Sequence, residues 1–141
     1  MDWSTLNGDV VKHRVLVVED NAVNRELLCD WLEAEGFEAP YAEELPTAFR
    51  LLENQQPDAP LPAIVLLDVQ VGAADGLTLA AWMRKQPRLS QIPVIAVTAH
   101  ALVTEHERFL QAGCNACVSK PINFKLLKEE LNRWLVVTSS S

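Results

Sequence analysis

Three uninterrupted apolar runs, Val15-Leu-Val-Val, Ile64-Val-Leu-Leu and Val94-Ile-Ala-Val, constrain the fold of this chain more than any other feature. A strand with one wet face alternates apolar and polar side chains, so runs without alternation suit strands covered on both faces. Apolar segments at 14–18, 37–41, 63–67, 93–97 and 116–119 alternate with stretches of helical period. That order predicts repeated βα units, an α/β class and a parallel sheet between two helical layers.

Between the strands, Leu27, Leu28, Trp31 and Leu32 recur at helical spacing, and Gly36 supplies a stop. A second helix is expected over 43–54, with Pro46 in the first turn, where a missing N–H costs little. A third begins near Asp75, a candidate N-cap, and stops before Pro87, while a fourth covers 104–112 and closes at Gly113. Phe124, Leu127, Leu131 and Trp134 form one apolar stripe on the last helix. One domain over 14–135 is expected, flanked by aperiodic tails at 1–13 and 136–141.

Charge narrows the function. The formal net charge of −7 repels phosphate backbones and anionic lipid, so direct nucleic-acid and membrane binding are not expected. The start of the chain lacks a basic segment followed by an apolar one, and no apolar run nears the roughly 20 residues of a membrane helix, so a cytoplasmic location is expected. Cys114 and Cys117 have C-x-x-C spacing, but they fall late, entering a strand, and His13, His100 and His106 offer no paired ligands. Buried small apolar residues are therefore a better reading than a redox or zinc site.

In an open parallel sheet, functional groups gather at the carboxyl edge of the strands. Here Glu19 and Asp20 follow the first strand, Asp68 the third, Thr98 the fourth and Lys120 the fifth. Carboxylates converging on one edge need a cation, and an oxygen-only ligand set selects a hard ion such as Mg2+, which leaves room for a phosphoryl oxygen. Asp68 is the expected nucleophile, forming an acyl phosphate. Asp20 would bind the metal directly and Glu19 directly or through water. Lys120 would neutralise a carboxylate at rest and a phosphoryl oxygen afterwards, and Thr98 offers a hydroxyl to that oxygen.

Val15-Leu-Val-Val-Glu-Asp-Asn-Ala-Val-Asn, Ile64-Val-Leu-Leu-Asp-Val-Gln, Asp75-Gly76, Ile95-Ala-Val-Thr-Ala-His and Val118-Ser-Lys-Pro-Ile resemble the signature segments of response-regulator receiver domains. The Asp20-Asn21 and Asn24-Arg25 pairs look most like receivers of hybrid histidine kinases. This resemblance implies a (βα)5 flavodoxin-like, doubly wound sheet of strand order 2-1-3-4-5. It implies phosphorylation of Asp68 by a histidine kinase or histidine phosphotransfer domain, and Mg2+ held by Glu19, Asp20, Asp68 and the backbone carbonyl of Gln70. Further implications are signalling through Thr98, a cis peptide between Lys120 and Pro121, and influence of Gln70 and His100 on phosphoryl lifetime. Helix one and the Pro121 loop would receive the donor, and the helix-four to helix-five face could pair two copies. Such a domain catalyses its own phosphorylation and dephosphorylation without being a conventional enzyme.

Three departures from the family pattern stand out. Cys117 occupies the place of the switch aromatic that usually accompanies Thr98, which leaves open a pseudo-receiver that signals by contact alone. Val71-Gly72 replaces Met-Pro after the phosphoacceptor, predicting a more flexible loop, because glycine lacks proline's fixed φ. The connection at 55–62 is longer than usual, as a surface insertion would be.

Overall fold

The three apolar runs lie side by side at the centre of one sheet in the computed structural model, which describes residues 13–53, 61–99 and 103–139. They form β1 (Val15–Val18), β3 (Ile64–Asp68) and β6 (Val94–Thr98), buried throughout. β1 pairs in parallel with β3, setting Val15 against Ile64 and Val18 against Leu67, and β3 with β6, setting Val65 against Val94 and Asp68 against Val97. With β2 (Tyr41–Ala42) and β7 (Ala116–Ser119) at the edges, the order is β2-β1-β3-β6-β7. This is the predicted 2-1-3-4-5 once a small hairpin, β4 (Gln70–Val71) with β5 (Ala74–Asp75), is counted separately.

Alternation along each central strand builds two cores. Leu16, Val18, Val65, Leu67, Val94 and Ala96 face α2 (Leu45–Glu53), α3 (Leu77–Arg84) and α4 (Val103–Gln111) through Ala48, Leu52, Leu79, Ala80, Met83 and Phe109. Val15, Val17, Ile64, Leu66, Ile95 and Val97 face α1 (Ala22–Ala34) and α5 (Phe124–Ser139) through Leu28, Leu32, Leu127 and Leu131. Each such buried Leu, Ile or Val contributes about 1.5–3 kcal/mol over an exposed one.

The ends obey local chemistry. Asn21 caps α1, its Oδ1 accepting the Asn24 N–H at 3.0 Å, and Gly36 ends the turn at φ 94°. Gly113 closes α4 in the same left-handed region, at φ 110°. Asn123 accepts the Lys125 and Leu126 N–H groups at 3.0 and 3.2 Å at the start of α5.

Three expectations need correction. The second strand is shorter than 37–41: it is a ladder at Tyr41–Ala42 plus one bridge between Arg14 and Glu38, because Pro40 between them has no N–H to donate. Asp75 lies on the hairpin, and Gly76 directly precedes α3, although Asp75 Oδ1 still accepts the Leu77 N–H at 3.0 Å. The last helix continues to Ser139, into the stretch expected to be an aperiodic tail. Gly72 opens the two-residue hairpin turn between β4 and β5 at φ 63°, the region where glycine replaces other residues without strain. Residues 54–60, within the long connection, lie outside the described residues, and no described helix is long and apolar enough to cross a membrane.

Candidate functional site

Four strand ends bring their polar residues together. Glu19, Asp20, Asp68, Gln70, Thr98 and Lys120 line one open cleft of about 690 Å3 at the carboxyl edge of the sheet. Glu19 is 2% exposed, Asp68 6% and Thr98 5%, because the strands carrying them are covered on both faces, whereas Asp20 reaches solvent.

Asp68 is held through both carboxylate oxygens. Its Oδ1 accepts the Gln70 N–H at 3.0 Å, and Oδ2 accepts from Lys120 Nζ at 3.0 Å. Lys120 Nζ also lies 3.0 Å from Glu19 Oε1, and the other Glu19 oxygen accepts the Asn21 N–H at 3.2 Å. The lysine backbone is fixed as well, its N–H donating to Thr98 O at 2.8 Å, and the Lys120–Pro121 peptide is cis. Asp20 Oδ2 accepts the Gly72 N–H at 2.9 Å.

Burial and pairing pull these charges in opposite directions. Burial, reinforced by the Asp68 carboxylate, pushes Glu19 up to about 7, against the Asn21 N–H and the Lys120 ammonium, which favour its charged form. Burial disfavours the Lys120 ammonium, but its bonds to Asp68 and Glu19 outweigh that and raise its pKa overall.

Ligand atoms of Glu19, Asp20 and Asp68 lie within 4.8 Å of one another, the one such acidic, histidine or cysteine group among the described residues. All are carboxylate oxygens, the donors a small hard cation prefers, and a buried glutamate that resists ionisation marks a place where a dication would relieve unpaid charge. The residues fit Mg2+.

Residues 15–132 match the family profile of the response regulator receiver domain. The chain belongs to that family. The receiver is 36% identical over 121 residues to the polar-differentiation response regulator DivK of Brucella anthropi, a match covering 86% of this chain and 94% of that protein. It superposes on the signal receiver domain of a histidine kinase from Syntrophus aciditrophicus with a TM-score of 0.79 at 27% identity, covering 92% and 94% of the two chains. A receiver domain of a Pseudomonas aeruginosa sensor histidine kinase, with magnesium coordinated in its active-site cleft, matches at TM-score 0.76 and 30% identity over 89% of this chain and 98% of that one. Receivers bind Mg2+ at an acidic pocket, and Glu19, Asp20 and Asp68 form such a cluster in this receiver.

One expected position falls outside the cleft. Cys117 lies on β7 opposite Ala96 and packs, half-buried, against the core beneath α3 and α4. Burial raises its thiol pKa, and it pushes Cys114, which is fully buried, up to about 12, so neither is a ready nucleophile. His100 lies outside the described residues.

Sequence reasoning missed two supports. Arg25 donates from Nη1 to the carbonyls of Glu19 at 3.3 Å and Asp20 at 3.5 Å, while its guanidinium stacks 5.0 Å over Tyr41 and pairs with Glu43 at 3.5 Å. The Gly72 N–H is the second. Both use backbone groups, which leave no residue pattern to read, although the glycine in place of proline was a visible signal for Gly72.

Proposed function

We propose that this receiver accepts a phosphoryl group from a phosphohistidine, on a histidine kinase or histidine phosphotransfer domain, onto Asp68 in a Mg2+-dependent reaction, and signals by conformational change. The observation that carries this reading is the setting of Asp68: the last residue of the middle strand, nearly buried, with Lys120 on one carboxylate oxygen and the Gln70 N–H on the other. A carboxylate oxygen of Asp68 forms the new O–P bond, and the P–N bond of the donor breaks, returning its electron pair to the imidazole.

Glu19, Asp20, Asp68 and the Gln70 carbonyl would hold Mg2+, which when bound would screen the negative charge of carboxylates and phosphoryl group alike. The chain's own groups do the positioning. The Gln70 N–H fixes the rotation of the Asp68 carboxyl, and Lys120 gives up its carboxylate contact to follow a phosphoryl oxygen. Thr98, at the end of the neighbouring strand, offers its hydroxyl to that oxygen. The Gln70 side chain and His100 tune the lifetime of the acyl phosphate.

A groove of about 420 Å3 beside the cleft, lined by Leu27, Leu28, Pro121, Ile122 and Phe124, supports docking of the donor on α1 and the Pro121 loop. Exposed Leu110 on α4 and Leu126 on α5 support pairing of two copies through that face.

The test is phosphorylation by acetyl phosphate with and without Mg2+, followed by mass, on the intact protein and Asp68→Asn. A metal-dependent gain of one phosphoryl group, absent from the variant, is expected. Cys117 in the aromatic's place favours the second reading, a contact-only pseudo-receiver, and absence of any modification would establish that one instead.

A further inference from the structure

The hairpin after Asp68 is anchored at both ends. At its base, the Gly76 N–H donates to Val69 O at 2.6 Å, and a Cβ at Gly76 would lie 2.1 Å from Asp68 O, so backbone packs on backbone there. At its tip, the Gly72 N–H reaches Asp20 Oδ2, 52 residues away in sequence, at 2.9 Å. Only a residue that has an N–H and tolerates positive φ can make this contact, and a proline at position 72 would have neither property.

Asp20 is the exposed member of the acidic cluster, so packing does not fix its side chain. The amide therefore gives this carboxylate a fixed partner through Oδ2. We propose that the Gly72 N–H is a positioning group that holds the Asp20 carboxylate in its cation-binding orientation, making the hairpin part of the metal site. This deepens the receiver reading and rests on it. Hydrogen bonds to ligating carboxylates set ligand orientation before the ion arrives, and their loss weakens binding. Coupling is reciprocal, so bound Mg2+ steadies the hairpin tip as the tip steadies Asp20.

The experiment measures Mg2+ affinity by calorimetry for the intact protein, Gly72→Pro and Gly72→Asn, with amide exchange at Gly72 followed by NMR in the intact protein. A Cβ at Gly72 would lie 4.0 Å from Asp20 Oδ2, so asparagine fits while keeping the N–H and tolerating positive φ. Gly72→Pro is expected to weaken Mg2+ binding by about tenfold and Gly72→Asn to restore most of it. In the intact protein, Mg2+ is expected to slow exchange of the Gly72 amide.

Unchanged affinity in a folded Gly72→Pro protein would overturn the inference. So would faster Gly72 exchange on adding Mg2+, because the carboxylate would then leave the amide to reach the ion. If the proline variant fails to fold, the exchange measurement on the intact protein decides alone. An intact protein that binds Mg2+ and is phosphorylated while these signs fail removes this inference only, whereas one that does neither removes the phosphoacceptor reading too.

Discussion

Replacing Glu19 with glutamine should stabilise the metal-free protein at pH 8 and do so far less at pH 5. The glutamate is 2% exposed, and its pKa is pushed from 4.5 up to about 7, with burial as the leading cause. Between those two pH values the folded protein keeps a proton that the unfolded chain has released, so stability falls as pH rises and the loss is complete above about 7. At about 1.4 kcal/mol per pH unit, the gap amounts to about 3 kcal/mol.

Glutamine matches the neutral carboxyl in shape and never ionises, so it escapes that loss. Urea unfolding in a chelator at pH 5, 6, 7 and 8 would measure it: the two proteins should lie closest at the acid end and separate progressively toward pH 8. Saturating Mg2+ should abolish the variant's advantage, since the ion stabilises the ionised glutamate and the amide is a poorer ligand. Parallel pH profiles for the two proteins, or a variant less stable at pH 8, would refute the reasoning, since either would mean that Lys120 already compensates the buried charge in full.

Other perturbations probe the scaffold. Arg84 donates to Gly113 O, Ser90 O, Ile92 O and Asn115 Oδ1 at 2.8–3.0 Å, tying the end of α3 to the start of β6 and to the turn after α4. Arg84→Ala should cost about 3 kcal/mol in urea unfolding, with Arg84→Lys recovering only part because an ammonium cannot span the same fork. Gly76→Ala should cost at least about 2 kcal/mol and impair phosphorylation by acetyl phosphate, because its Cβ would fall 2.1 Å from Asp68 O and must displace the backbone beside the nucleophile. Asn21→Ala should lower stability by about 1 kcal/mol through loss of the α1 cap, measurable as a lower midpoint in a thermal melt.

The central sheet was legible because the physical cause is local: strands buried on both faces must be apolar at every position, and β1, β3 and β6 are. The acidic cluster was legible for the complementary reason, since Glu19 and Asp68 break apolar runs at the point where the strands leave the core. The hairpin was not, because strands of two residues carry no period, and Gly72 reads from sequence as a lost proline rather than a gained N–H. Nor were Arg25 and Arg84, whose partners are mostly backbone carbonyls that any residue could provide. The edge strand was misjudged because its pairing straddles Pro40, with Val15 and Val17 donating to Glu38 O and Pro40 O while the proline returns nothing.

The two cores share the same central strands, and this gives the cleft a form of error checking. Sliding β3 by one residue would turn Val65 and Leu67 toward α1 and α5, and Ile64 and Leu66 toward α2, α3 and α4. The same slip would carry Asp68 out of reach of Lys120 and trade it for Leu67 or Val69. A chain that pairs its strands wrongly thus loses its packing and its nucleophile in one event, so a stable copy of this molecule with a misassembled cleft has no inexpensive way to exist.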